Sequence, residues 1–103
     1  MNGGNWIPVN FALINSLCLD RWSTLLARWL PDGKQVGSEW VALNPTRNDR
    51  RVGSFKVCTA SGLWADFATG DRGGDPVSLY AYINGLKQVE AAKALQAELG
   101  IAS

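Results

Sequence analysis

Arg47, Arg50, Arg51 and Lys56 fall within ten positions of one another, on a polar stretch over residues 44–53 and the alternating segment that follows it. Guanidinium groups offer a planar fork of donors suited to phosphate and carboxylate oxygens, and a loop lets them reach outward. A charged loop is also what an ordinary solvated turn looks like. Asp66, Asp71 and Asp75 also lie close together and have the oxygen chemistry of a divalent-cation site. Each has a simpler role, however: Asp66 ends a strand, Asp71 sits in a turn and Asp75 caps a helix. Cys18 and Cys58 stand 40 positions apart and match no paired zinc or redox spacing, so they read as buried reduced thiols. The chain has no His, which removes the commonest general base and metal ligand. The glycine-rich segment over 68–76 connects a strand to a helix but lacks the Gly-Lys-Ser/Thr ending and the Gly-x-Gly-x-x-Gly pattern of phosphate cradles. No catalytic residue, metal or other cofactor is expected.

The elements that must position these residues are readable from periodicity. A chain of 103 residues, 47% hydrophobic and with five Trp, is suited to one domain with one core. Residues 1–9 read as a flexible leader and residues 10–103 as a single folded module. Phe11, Ile14, Cys18, Trp22, Leu25 and Trp29 recur at steps of three and four, which predicts a helix over 10–30 capped by Asn10, with a candidate break at Asp20-Arg21. Residues 39–43 predict a short strand. Residues 54–59 and 63–67, around the Ser61-Gly62 turn, predict a hairpin. Asp75 and Pro76 start a helix that Asn84-Gly85 ends, and a last helix over 87–99 turns Val89, Ala92, Leu95 and Leu99 inward. The expected fold is α+β, with a small antiparallel sheet of about three strands flanked by helices.

The formal net charge of +1 conceals an uneven distribution. Residues 34–58 carry five bases against Glu39 and Asp49, a local net of +3, whereas residues 59–103 carry five acids against three bases. No basic N-terminal region leads into a long apolar run, and no segment approaches the roughly 20 apolar residues of a membrane span, so a cytoplasmic protein without membrane contact is expected.

The stretch Asn44-Pro45-Thr46-Arg47-Asn48-Asp49-Arg50-Arg51-Val52-Gly53-Ser54-Phe55-Lys56-Val57 closely resembles the zinc-binding N-terminal domain of bacterial and phage DNA primases, in which a Cys-Pro-x-His loop enters a Pro-Ser-Phe-x-Val strand. Gly62-Leu63-Trp64-Ala65-Asp66-Phe67 with Gly73-Gly74-Asp75 is similar to the hairpin and Gly-Gly-Asp turn of that domain. Tyr82-Ile83-Asn84-Gly85-Leu86 and the segment from Glu90-Ala91-Ala92 to Leu99-Gly100 are similar to its last two helices. The resemblance spans residues 36–100. The four metal-ligand positions fall at about Asn44, Arg47, Phe67 and Gly70, none of which is Cys or His. The resemblance therefore implies a zinc-less variant, of the kind found in phage and plasmid primase-like proteins. Packing of Trp40, Phe55, Trp64 and Phe67 is expected to replace the metal cross-link.

What the resemblance implies is template recognition: a non-catalytic module that binds single-stranded DNA in the replication of a phage, plasmid or other mobile element. Arg47, Arg50, Arg51, Lys56 and Arg72 would reach phosphates, and Trp64 or Trp40 would stack an unpaired base if exposed. A primase, a helicase or a host protein is a candidate protein partner, and the chain is either a free-standing copy of the module or a piece of a longer protein. The alternative is a mobile-element inhibitor or adaptor that docks on a replication or host-defence protein, with the helix over 11–30 as its added interface. A small metal-dependent nuclease using Asp66, Asp71 and Asp75 stands third.

Overall fold

A computed structural model describes residues 9–100. Most of the expected leader lies outside the described residues; Val9, its last residue, packs against the core. Helix α1 (Phe11–Asp20) starts where the Asn10 side chain accepts the Leu13 amide at 3.0 Å. The helical pattern breaks at Arg21, and α2 (Trp22–Trp29) continues it in a new direction. Five strands follow: β1 (Lys34–Val36), β2 (Glu39–Ala42), β3 (Phe55–Cys58), β4 (Trp64–Asp66) and β5 (Arg72–Gly73). They form one antiparallel sheet in sequence order. Helix α3 (Pro76–Asn84) opens on a capping box between Asp75 and Ser78, and Gly85 closes it in the left-handed conformation. Helix α4 (Gln88–Glu98) completes the chain of elements.

The α+β class and the central hairpin agree with the sequence pattern, but the sheet has five strands rather than about three. The two additional strands are the edges. Both are very short, and β1 is exposed throughout, so neither carries the apolar alternation by which a half-buried strand is recognised. They exist because β2 and β4 offer free ladder groups and because tight turns bring the chain back beside them.

Pairing fixes which side chains share a face. Trp40, Val57 and Trp64 stand in one row and Phe55 pairs with Ala42, all facing the helices. Ile14, Cys18, Trp22, Leu25, Leu26, Val77, Leu79, Ala91, Ala92 and Leu95 close the core from the helical side. Burial pushes the Cys18 thiol up to about 12. Val89, expected inward, is 47% exposed; the buried side of α4 runs through Ala91, Ala92 and Leu95 instead. Three indole N–H groups tie layers together: Trp22 donates to the Cys58 carbonyl at 3.2 Å, Trp40 to the Leu30 carbonyl at 3.1 Å and Trp64 to Ser78 Oγ at 2.9 Å. Among the described residues no helix is long and apolar enough to cross a membrane.

Gly73 pairs directly with Trp64, and a Cβ there would fall on the Trp64 indole. The Gly73→Ala variant is therefore expected to lose about 1–3 kcal/mol through overpacking, on the order of 4–8 °C in Tm per kcal/mol for a domain of this size. Gly74→Ala, whose Cβ meets only a Leu63 methyl at 3.9 Å, is the matched control and should leave thermal unfolding nearly unchanged. Equal melting curves for both variants would show that the Gly73 contact does not constrain β5.

Candidate nucleic-acid interface

The inward alternation of β4 places Asp66 beneath the sheet as it places Trp64, and the Asp66 side chain is fully buried. A carboxylate there requires compensation. Arg47 supplies it, with Nε 2.8 Å from Asp66 Oδ2 and a second guanidinium nitrogen 3.3 Å from Oδ1. Asn44 Nδ2 donates to Asp66 Oδ2 at 2.8 Å and the Ala68 amide to Oδ1 at 2.8 Å. The network extends to α3: Asn44 Nδ2 also donates to the Tyr82 hydroxyl at 2.8 Å, and that hydroxyl donates to Asp71 Oδ2 at 2.7 Å. Arg47 further reaches Ser54 Oγ and Asp49, and Asp49 Oδ2 accepts the Asn44 amide at 2.9 Å. The loop before β3, the turn after β4 and the last turn of α3 are thus joined through one carboxylate.

These residues occupy the region where the primase resemblance places a zinc ion. Asn44 and Arg47 sit in the network, and the Gly70 amide donates to the Asp66 carbonyl at 2.8 Å. A guanidinium, a carboxamide, a phenyl ring and a glycine are not a zinc donor set, and the space is crossed by the Arg47–Asp66 ion pair. The residues do not fit the metal. Of the four aromatic residues expected to pack here, Phe55 and Trp64 are buried and Trp40 is half-buried. Phe55, Trp64 and Tyr82 do cluster, with Trp64 and Tyr82 ring centroids 4.6 Å apart. Phe67, however, is 71% exposed and contributes nothing to the core, and the cross-link itself is polar.

The other side of the sheet is where the cations gather. The pairs Lys34 with Val41, Val41 with Lys56, Lys56 with Ala65, and Ala65 with Arg72 run through all five strands at one level. Directly opposed residues share a face, so Lys34, Lys56 and Arg72 form one transverse row, attached about 10 Å apart at two strand spacings each. Glu39 is the one carboxylate on this face of the strands, and it lies 4.0 Å from Lys56. Arg50 and Arg51 are exposed on the neighbouring loop and line a cleft of about 470 Å³ with Asn48, Val52 and Gly53. Val52 and Gly53 also line a second cleft with Lys34, Val41, Lys56 and the carboxylate Asp32, which makes the loop continuous with the row. Among the described residues, no ion pair engages Lys34, Arg50, Arg51 or Arg72.

Three of the residues expected to contact nucleic acid stand apart. Trp64 is 5% exposed, with its indole N–H held by Ser78, so it cannot stack a base, and Trp40 is likewise turned toward Leu30. The Arg47 guanidinium is engaged by Asp66, Asp49 and Ser54; it holds the loop that displays Arg50 and Arg51. Two outward residues beside these cations are not among the expected ones. Lys34 joins them through the pairing of β1, which carries too little pattern to be read as a strand. Phe67 was counted as core, although strand alternation already separates it from Trp64: residues three apart on a strand cannot share a face. Asp66, Asp71 and Asp75 do not form a cation site. Asp71 accepts from Tyr82, Asp75 caps α3, and among the described residues no group of three or more His, Cys, Asp or Glu is placed to hold a metal. No protein-family model matches the chain, and no curated protein matches its sequence.

Arg47, foremost, holds the Asp66 carboxyl well below the usual carboxylate range; the Asn44 and Ala68 donors add to this against the cost of burial. Because the folded-state value is the lower one, the stabilisation is complete above the unfolded carboxylate range near pH 4 and is lost as pH falls below it. Urea unfolding followed from pH 6 to pH 2 is expected to show this loss in the wild-type chain and a flatter profile in Asp66→Asn. Asp66→Ala, which strands the buried Asn44 donor, is expected to cost about 2–3 kcal/mol at pH 7. A wild-type profile no steeper than that of Asp66→Asn would count against the network.

Proposed function

We propose that this chain is a non-catalytic module that binds single-stranded DNA, resembling the template-recognition domain of primases without its zinc, and serves the replication of a phage, plasmid or other mobile element. The observation that carries the reading is the continuous basic surface formed by Lys34, Lys56 and Arg72 across the sheet and by Arg50 and Arg51 on the loop beside it. Flexible lysines and arginines on a flat strand surface suit a phosphate backbone read without regard to sequence. The zinc-ribbon likeness of the sheet and following helices belongs to the same proposal. Its support is the ordered correspondence over residues 36–100 and the way the Asn44, Arg47 and Asp66 network joins two turns that a metal would otherwise join. The second reading is docking on a replication or host-defence protein, favoured by the exposed Phe11 and Leu13 in the first turn of α1.

Fluorescence anisotropy of a labelled oligonucleotide tests the proposal. Binding should weaken steeply with salt, and the paired substitution Arg50→Ala with Arg51→Ala should lower the log–log slope by about 1.4 if each arginine meets one phosphate of a single strand. The loss should be similar for all oligonucleotide sequences. Unchanged affinity in the double variant would remove the loop from the interface, and absence of wild-type binding at low salt would favour the docking reading.

A further inference from the structure

We infer that Phe67 is a base-stacking platform: one unpaired nucleobase of a single DNA strand lies on its ring while the flanking phosphates follow the Lys34–Lys56–Arg72 row. The inference rests on the single-strand reading and adds to it the residue that receives a base.

Phe67 follows β4 directly. Its amide is fixed by donation to the Ser54 carbonyl at 2.8 Å, and the Asp66 network immobilises the residue before it, so the ring is carried on an ordered backbone. It extends on the outer side with Ala65, where Lys56 Nζ lies 5.7 Å from the ring centroid. With 71% of Phe67 and 57% of Leu63 exposed, these two are the most exposed large apolar residues described. They border a cavity of about 210 Å³ with Lys56, Glu39, Cys58 and Ala65. The small side chain of Ala65 leaves the path from Lys56 to Arg72 low between the two cations.

The chemistry of the patch selects its occupant. An exposed ring with an ammonium group over one face suits a ligand that is planar and apolar on one part and anionic on the next. A nucleotide strand has both within one repeating unit, and aromatic stacking accepts any base because every base presents a π face. An apolar helix from a protein would fill the Phe67 and Leu63 surface but leave Lys34 and Arg72, which enter no ion pair among the described residues, without counter-charges. The exposed cation row thus argues for the nucleic-acid strand.

The test pairs protein variants with modified DNA. Phe67→Ala is expected to weaken binding of an intact oligonucleotide about ten-fold or more, within the range of a lost base–aromatic stack, whereas Phe67→Trp retains it. Both variants should melt with the wild-type chain, since the ring contributes nothing to the core. An oligonucleotide with the same phosphates but abasic sugars should bind the wild-type chain more weakly and should no longer distinguish it from Phe67→Ala. If Phe67→Ala binds intact DNA as the wild-type chain does, or loses affinity for intact and abasic strands alike, stacking is overturned while the single-strand reading stands. If the wild-type chain binds no DNA at low salt, both fall, and a protein partner becomes the occupant to seek.

Discussion

The buried carboxylate of Asp66 is the constraint on which the rest of the sheet depends. Strand alternation requires the residue two after Trp64 to face inward, and a carboxylate in that position is tolerated only if cations and donors are brought to it. The chain does this by folding residues 44–54 across the end of the strand, where Arg47 and Asn44 meet both carboxylate oxygens. Three consequences follow from one ion. The loop before β3 is anchored at its start, the turn after β4 is drawn tight through the Ala68 amide, and Tyr82 of α3 is attached to both through Asn44 and Asp71. A zinc ion would join two turns by coordination; here a carboxylate joins them by hydrogen bonds, which adds the geometric specificity of a two-point Arg–carboxylate contact.

The same anchoring separates two kinds of arginine in one loop. Arg47 points back to the carboxylate, while Arg50 and Arg51, past the Asp49 turn, are exposed beside a cleft. The sheet shows a parallel division of labour. Its inner rows hold Trp40, Val57 and Trp64 against the helices, with glycines admitting the tryptophan rings: Gly33 beside Trp40 and Gly73 beside Trp64. Its outer row is left to Lys34, Lys56 and Arg72. Because every connection between neighbouring strands is local, the face is assembled from one contiguous segment, and its cations are spaced by the ladder rather than by flexible tails.

Much of this architecture was legible in the sequence wherever several local signals agreed. The Asp75-Pro76 helix start, the Gly85 stop and the hairpin about Gly62 appear where residue types require them, and the break at Arg21 falls where the sequence offered a candidate. Edge strands of two and three residues were not legible, because they form from pairing with neighbours and carry no period of their own. The site was legible as a cluster but not as a geometry. Arg50, Arg51, Lys56 and Arg72 stand out in the sequence by charge alone. The separate task of Arg47 depends on Asp66, 19 positions away, and the union of Lys34 with Lys56 depends on the register through Val41. Trp64 and Phe67 lie three positions apart, so strand alternation sets them on opposite faces, Trp64 inward and Phe67 outward.

Net charge is the least informative number for this molecule, and the fold explains why. Seven of the nine acidic residues are engaged within the domain. Asp49 and Asp66 meet Arg47, Glu39 meets Lys56 and Glu98 meets Arg28; Asp71 accepts from Tyr82, Asp75 caps α3 and Glu90 accepts the Lys87 amide. Lys34, Arg50, Arg51 and Arg72 enter no such pair among the described residues. Acids consumed in caps and internal pairs project little field beyond the surface, whereas unpaired cations on one face project theirs outward within a Debye length of roughly 8–10 Å. A chain of formal charge +1 therefore presents a basic sheet. Of the five bases that make the excess over residues 34–58, Lys34 and Lys56 stand on the outer face of the sheet and Arg50 and Arg51 on the loop beside it, while Arg47 turns to Asp66.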